Sequence, residues 1–420
     1  MVFLFASVLV GGNGPEALGY FPQEQTGAVG EQAAIDPERQ ARWWKGNLHT
    51  HSLWSDGNDF PEVISDWYRQ RGYHFLAISD HNVLQEGQKW MAVGTVQQRS
   101  HGQGMERYLE RFGKSWVETR GEPGTEKYQV RLKPLDEYRY LLERNDHFIL
   151  IPAEEITDSA EGHPVHMNAT NLDEVIKPLG GKTVREAMEN NLRAVLEIEK
   201  AKGRQILPHL NHPNFKYGIT FEDLAAVMSE RFFEVYNGHP GVNHLGDANN
   251  PGVERMWDLA NHLRVNKLGG TLLYGVGTDD SHEYFGKEGS RPGRGWVMVR
   301  SKFLTPEHLI RAMKAGDFYA SSGATLKDVR WQADGGTLSV EIDAQEGVTY
   351  TTEYLVTDVD AKPEDIGRLG LATQELRSSY SLKKGESIVR AVVTSSLAPA
   401  DAVWSTQKQQ AWTQPFRAVP

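Results

Sequence analysis

Short apolar runs recur between residues 40 and 320, and most of them end in His, Asp or Glu. Phe75-Leu76-Ala77-Ile78-Ser79 leads into Asp80-His81-Asn82, and Phe148-Ile149-Leu150-Ile151-Pro152-Ala153 leads into Glu154-Glu155. Ile206-Leu207-Pro208-His209-Leu210 ends at Asn211-His212-Pro213, and Phe232 to Tyr236 ends at Asn237-Gly238-His239. Thr271 to Val276 runs out at Gly277-Thr278-Asp279-Asp280-Ser281-His282, and a last run, Trp296 to Val299, closes the series. Runs of this length, bounded by polar and turn-forming residues, predict strands.

Between them lie stretches with helical spacing. Val63, Ile64, Trp67 and Tyr68 share a face in a segment opened by Pro61 and stopped by Gly72. Leu135 to Leu142 reads as helix, and Thr183-Val184-Arg185-Glu186 has capping-box spacing ahead of an amphipathic segment reaching Gly203. A helix capped by Thr220, another from Val253 to Leu268, and one opened by Thr305 with Pro306 in its first position complete the alternation. Strands and helices in this order predict a βα barrel or an open βαβ sheet. In barrels of this kind the active residues stand on the loops after the strands, and here the His, Asp and Glu candidates follow the apolar runs.

Two stretches depart from the pattern. Residues 86–134 are polar without a clear period, and such an excursion is either a functional lid or surface elaboration. After about Gly323 the runs Leu338 to Ile342, Val348 to Val356 and Ile388 to Val393 read as strands separated by Gly- and Asp-rich turns. The expected organisation is a lead-in over 1–40, an α/β domain over 41–323, and a small all-β, sandwich-like accessory domain over 324–420 that covers or stabilises the first. Within the lead-in, Val2 to Val10 is apolar but too short to span a bilayer. Read as the tail of a secretory signal it predicts a periplasmic or secreted protein, and otherwise a cytoplasmic one.

Composition narrows the chemistry. The 45 Lys and Arg against 56 Asp and Glu give a net charge of −11, which disfavours nucleic acid as a partner. A cluster of divalent cations would reverse the local field, so a small anionic substrate stays compatible. With no cysteine, any metal must be held by imidazole and carboxylate, a donor set that suits Zn, Mn or Fe. The stretch Gly46-Asn47-Leu48-His49-Thr50-His51-Ser52-Leu53-Trp54-Ser55-Asp56-Gly57 is the richest in such donors. His49 and His51 stand two apart at the end of an extended segment and project to one side, as do Asp280 and His282. No Gly-x-Ser-x-Gly elbow and no Gly-x-Gly-x-x-Gly after a strand is present. Gly180-Gly181-Lys182-Thr183 matches a phosphate loop only in part, since Ile176 stands where the first glycine belongs.

Taken together, His49-x-His51 with Ser55-Asp56-Gly57, Asp80-His81-Asn82, Pro152-x-x-Glu155, Asn211-His212-Pro213 and Asp280-x-His282 resemble the PHP (polymerase and histidinol phosphatase) metallohydrolases over residues 46–323. The resemblance extends to the β region appended in exported members. It implies a distorted seven-stranded βα barrel, (β/α)7, holding two or three divalent ions. Carried over by motif, His49, His51, Glu155 and Asp280 would hold a first ion, Glu155 bridging to a second completed by His166 and His212. Asp56, His81 and His282 would hold a third.

Three of these assignments have rivals nearby: Glu154 for Glu155, His209 for His212, and His163 for His166. His209 is expected to be a satisfied neighbour, and His74, His147, His262 and His308 to have ordinary surface or packing roles. His239 is a candidate to protonate a leaving group or bind phosphate. Arg294 either pairs with a substrate anion or forms a structural salt bridge. The activity implied is hydrolysis of phosphoric esters by water activated at the metal centre. Hydrolysis of carboxyl or carbamic esters on the same centre, and a non-catalytic metal-binding recognition module, are the alternatives.

Overall fold

A computed structural model describes residues 40–418. The lead-in expected over 1–40, with its signal remnant, therefore lies outside the described residues but for Gln40. From Ala41 onward the chain forms one compact unit.

The elements are β1 (Arg42–Asn47), α1 (Pro61–Gln70), β2 (Phe75–Ile78), β3 (Lys89–Ala92), α2 (Val93–Arg99), α3 (Gly104–Phe112), β4 (Thr119–Arg120), β5 (Gln129–Leu132), α4 (Leu135–Leu142), β6 (Ile149–Ala160) and β7 (His163–Thr170). There follow α5 (Val184–Lys202), β8 (Leu207–Leu210), α6 (Phe221–Ala226), β9 (Phe232–Asn237), α7 (Val253–His262), β10 (Tyr274–Thr278), β11 (Trp296–Ser301), α8 (Pro306–Lys314) and β12 (Phe318–Ser321). Beyond residue 323 come β13 (Leu326–Gln332), β14 (Thr337–Ile342), β15 (Tyr350–Asp358), β16 (Arg368–Thr373), β17 (Arg377–Ser381), β18 (Glu386–Ser395), β19 (Gln410–Thr413) and β20 (Phe416–Arg417).

The helix ends obey local chemistry. Thr183 accepts a hydrogen bond from the Glu186 amide at the start of α5, and Gly203 closes that helix at φ 63°, a conformation glycine takes without strain. Thr220 and Asp223 form a reciprocal capping box on α6. The helix expected from Val253 to Leu268 is α-helical only to His262, then widens into a π turn over Leu263–Lys267. That turn buries Arg264, whose guanidinium donates to the carbonyls of Leu224, Met228 and Thr271.

The main sheet runs β10-β9-β8-β7-β6-β2-β1-β11-β12-β19-β18-β15-β16, with β20 beside β18. β1, β2 and β6 pair in parallel, as do β8, β9 and β10. β7 is antiparallel to both β6 and β8, so the two parallel sets point the same way and their carboxyl ends gather at one end of the sheet. The β6–β7 hairpin turns on Glu161 and Gly162, both at positive φ, which suits the twist of a two-residue turn.

The mixed α/β class is as expected. The finer detail differs: the hydrogen-bonded path has two ends, at β10 and β16, and is not closed into a seven-stranded ring among the described residues. β10 nevertheless lies against β11 and β12, since a Cβ at Gly277 would stand 2.9 Å from the Trp296 carbonyl oxygen and 3.2 Å from the Ala320 Cβ. The described residues after 323 form strands and short 3₁₀ turns, and β12 passes the main sheet to them through β19.

Two apolar clusters bracket the curled sheet. One contains Met188, Leu192, Val235 and Trp257, the other Trp44, Phe75, Val297 and Ile310. A third packs Tyr354, Val340 and Ala391 among the last strands. The polar stretch 86–134 is ordered: β3, β5 and β4 make a separate sheet, and Val96, Tyr108 and Val130 pack on Leu53, Phe60 and Val63. Its strands are only two to four residues long, too short to leave a period in the sequence.

Candidate metal centre

Because β1, β2, β6, β8, β9 and β10 share a direction, the residues that follow or end them converge. Segment 49–51 lies beside segment 280–282: the Asp280 amide donates to the His49 carbonyl at 3.0 Å, and the His51 amide to the Ser281 carbonyl at 2.9 Å. Register sets Glu155 opposite Asn168 and Thr157 opposite His166, which makes Glu155 and His166 diagonal neighbours on one face of the hairpin. Successive strand residues alternate faces, so Glu154 points the other way and accepts from the Ile176 amide at 2.6 Å. Glu155, not its neighbour, faces the cluster. Burial raises the Glu154 carboxyl to about 7 against the opposing hydrogen bond from the Ile176 amide.

The separations suit a shared cation. Ligand bonds of about 2.0–2.1 Å in a tetrahedron put the donor atoms roughly 3.3–3.4 Å apart. His49 Nε2 stands 3.1 Å from His51 Nε2, 3.2 Å from Asp280 Oδ1 and 3.5 Å from Glu155 Oε1. His51 Nε2 is 3.3 Å from Asp280 Oδ1 and 3.6 Å from Glu155 Oε2. Around a second position, Glu155 Oε1 is 3.1 Å from His166 Nδ1 and 3.6 Å from His212 Nε2. Around a third, Asp56 lies 3.3 Å from His81 Nε2 and 3.5 Å from both His282 Nε2 and His51 Nδ1. His81 Nδ1 also approaches Glu155 Oε2 at 2.6 Å, and the rings of His51 and His282 stack with centroids 4.0 Å apart. Eight of the nine candidate ligands thus fall into three overlapping groups of imidazoles and carboxylates, and Asp280 joins them through His49 and His51. The donor set and its spacing fit divalent ions.

The electrostatics agree. Burial alone would neutralise these groups. Yet Asp280, Glu234 and Glu155 outweigh burial at His49 and raise it well above the usual imidazole range. Glu155 is held far below the usual carboxylate range by His166, His49 and His81 in spite of burial, and Asp280 likewise by His49, His51 and His282. At His81, Glu155 and Asp56 overcome burial and lift the ring to about 11, whereas burial and the neighbouring His282 push His51 down to about 4. Carboxylates this concentrated hold protons on imidazoles wherever no other cation balances them.

The backbone is also strained here. His212 and Asp280 take φ values of 21° and 48°, and Asn82, next to His81, takes 52°. Non-glycine residues in this region cost about 1–3 kcal/mol each and gather at sites whose geometry the fold over-determines.

Other candidates land elsewhere. His209 is a buried neighbour but not a satisfied one: neither ring nitrogen has a hydrogen-bond partner among the described residues, and Glu234 Oε1 is 3.6 Å away. His163 is exposed at the hairpin turn while His166 reaches Glu155. His74 accepts from the Lys45 amide, and His147, His262 and His308 pair locally with the Asn145 carbonyl, Asn266 and Thr305. His239 Nδ1 accepts from the Gly241 amide at 2.9 Å, which leaves its proton on Nε2, and its ring centroid is 5.9 Å from that of His282.

Arg294 requires a correction. It is buried, and its guanidinium donates to the carbonyls of Gly238 and Gly289, both at 2.8 Å, and to Asp401 at 3.1 Å. This is the structural pairing: both terminal nitrogens are engaged, and only the buried Nε has no hydrogen-bond partner among the described residues.

Three carboxylates behind the centre were not anticipated in any role. Asp80 accepts from the Ser52 amide and hydroxyl, the Ser55 hydroxyl and Gln85, and so anchors the loop that carries Asp56. Asp279 accepts from the amides of Gly293, Arg294 and Gly295 and from the Tyr68 hydroxyl. Glu234 approaches His49 Nδ1 at 2.7 Å. A signal for Glu234 does exist: a carboxylate inside Phe232-Phe233-Glu234-Val235-Tyr236 has to be paired, because ionised side chains are almost never fully buried alone.

The stretch 86–134 adds a further support. Arg99 donates to the Ser55 carbonyl at 2.7 Å, Lys89 reaches the Trp54 carbonyl, and Arg107 pairs with Asp59 at 2.9 Å. It clasps the loop that holds Asp56.

No family model matches the chain, and no curated protein does. Among solved structures it is similar to a two-domain protein from Bacteroides vulgatus ATCC 8482 containing a predicted PHP-like metal-dependent phosphoesterase. The identity is 16%, coverage is 90% of this chain and 95% of that one, and the TM-score is 0.39. A protein from Bifidobacterium adolescentis ATCC 15703, assigned as a metal-dependent phosphoesterase, aligns at 15% identity over 59% of this chain and 92% of its own, with a TM-score of 0.28. Superpositions this loose leave the functional reading to the residues themselves.

Proposed function

We propose that this chain is a metal-dependent hydrolase of the PHP type that cleaves phosphoric esters of small anionic molecules at a centre of two or three Zn, Mn or Fe ions. The observation that carries the reading is the spacing of donor atoms around His49, His51, Glu155 and Asp280, whose separations of 3.1–3.6 Å suit one shared ion. His166 and His212 extend the set about Glu155, and Asp56, His81 and His282 about the rim.

Divalent ions bound in such a site supply a hydroxide nucleophile near neutral pH and an electrophile for oxygen. The protein's part is positional. Glu155 faces both the inner and the second group, so one carboxylate sets the distance between them. Asp56, with a side chain 52% exposed, marks the mouth, while His49 is fully buried at the base. His239 presents Nε2–H as a hydrogen-bond donor to a bound ester oxygen or a departing alkoxide. Among the described residues no helix is long and apolar enough to cross a membrane.

The test pairs elemental analysis with a substrate panel. Protein loaded with Mn, Zn or Fe is assayed on aryl phosphate mono- and diesters and on carboxyl and carbamic esters. Two or three ions per chain with turnover of a phosphoric ester is the expected result. Turnover of carboxyl or carbamic esters alone, or less than one ion per chain with no activity restored by added metal, overturns it.

A further inference from the structure

We infer that Glu234 is a positioning residue: it fixes the tautomer of His49 and ties three ligand-bearing strands to β9, without itself binding an ion. This rests on the metal-dependent reading above and assigns a role within that same site.

A carboxylate only accepts hydrogen bonds, with about four lone-pair directions on its two oxygens. All four of Glu234 are taken. Oε1 accepts from His49 Nδ1 at 2.7 Å and from the Thr278 hydroxyl at 2.7 Å. Oε2 accepts from the His212 amide at 2.8 Å and from Asn237 Nδ2 at 2.7 Å. The side chains of Glu234 and His49 are both fully buried, so no solvent competes. With its acceptor sites filled, Glu234 has no oxygen left for a cation, although His49, His209 and Glu234 are close enough together to suggest one.

The consequence falls on His49. A nitrogen 2.7 Å from an obligate acceptor must carry a proton, so Nδ1 is N–H and Nε2, facing His51, Glu155 and Asp280, is the nitrogen that would give up its proton to an ion. An imidazole backed by a carboxylate is a stronger and better-oriented ligand than one backed by water. The remaining donors extend the control. The amide of His212 is gripped directly, and Asn237 spans Glu234 and Asp280 Oδ2, the latter at 3.1 Å. One buried carboxylate on β9 thus sets the His49 ring after β1, the His212 backbone after β8, and the Asp280 side chain after β10.

The experiment uses zinc, which is diamagnetic, and the full chain labelled with ¹⁵N-histidine. Long-range ¹H–¹⁵N spectra of the zinc-loaded wild type should show His49 protonated at Nδ1, with Nε2 shifted by coordination; an unprotonated or zinc-bound Nδ1 overturns the inference. In Glu234→Gln, competition against a chelator should show zinc at the His49 position weakened about 10–100-fold, with the position of Asp56, His81 and His282 unchanged. Unchanged affinity at every position also overturns it. Wild type that binds none of Zn, Mn or Fe refutes the metal-dependent reading itself. If Glu234→Gln does not fold, the wild-type tautomer decides the matter.

Discussion

Carboxylates gather in two regions of this molecule, but they meet different partners. At the carboxyl ends of β1 to β10, Asp56, Glu155, Asp280 and Glu234 face imidazoles. In and around the strands after residue 323 they face guanidiniums. Arg390 grips Asp258 through two bonds of 2.7 and 2.8 Å and reaches Glu254 at 3.3 Å, and Arg368 joins Asp358 to Glu386. Burial opposes the charge on Arg390, but Asp258 and Glu254 outweigh it and raise the guanidinium further above its ordinary range. Arginine carries a permanent charge in a fork that matches a carboxylate, so such a pair is complete. Histidine is charged only when protonated, so carboxylates gathered around imidazoles balance their charge with protons or with metal ions. The first arrangement holds the fold together, and the second leaves room for chemistry.

Removing a partner on each side separates the two roles. Glu155→Ala deletes the carboxylate shared by the inner positions, and ester hydrolysis is expected to fall about a thousandfold, some 4 kcal/mol of transition-state stabilisation. Ion content measured by elemental analysis should fall with it, and an unchanged turnover number would break the contrast. Arg390→Leu leaves Asp258 buried without its cation and should cost about 3–5 kcal/mol in urea denaturation. Ion content per folded chain should stay constant, whereas a parallel loss of ions would show that the arginine pairs also support the centre.

Glu230 sharpens the comparison, because it is buried with no cation within ion-pair distance among the described residues. Its Oε1 accepts from the amides of Arg231 and Phe232, and Oε2 has no partner. Burial pushes this carboxyl up to about 7, against backbone donors and the more distant Arg264. Since the folded value lies above the ordinary 4.5, the protonated acid is the form the fold prefers. Its contribution is present in full below about pH 4.5 and is lost as pH rises through about 7, a change of about 3 kcal/mol. The stability of Glu230→Gln relative to wild type should therefore rise across that window. A flat difference between pH 4 and 8 would show that the carboxyl ionises without cost.

Much of the centre was legible before any coordinates, for a physical reason. His49, His51, His81, His212, Asp280 and His282 sit immediately after apolar runs, and a strand that ends at the rim of an α/β sheet must deliver its next residues there. Glu155 and His166 were legible through their motifs and through the alternation of faces in a hairpin. Arg294 was legible as a cation with two open roles, and the choice lay with Gly238 and Asp401, which are remote from it in sequence. Residues 86–134 were expected to lack a period, and strands as short as β4 cannot alternate long enough to show one, but Met105, Tyr108, Leu109 and Phe112 do stand at helical spacing in α3.

What the sequence by itself determined was the alternation of strands and helices outside residues 86–134, several helix caps, and the placing of most candidate imidazoles and carboxylates beside apolar runs. These depend on neighbours a few residues apart, where side-chain direction follows from backbone period. Only the tertiary structure decided that Glu234 stands behind His49, that Arg294 is engaged, and that the sheet passes unbroken from β12 into the last strands. Those contacts join residues dozens to hundreds of positions apart, and their partners are chosen by sheet register and by the need to satisfy every buried charge.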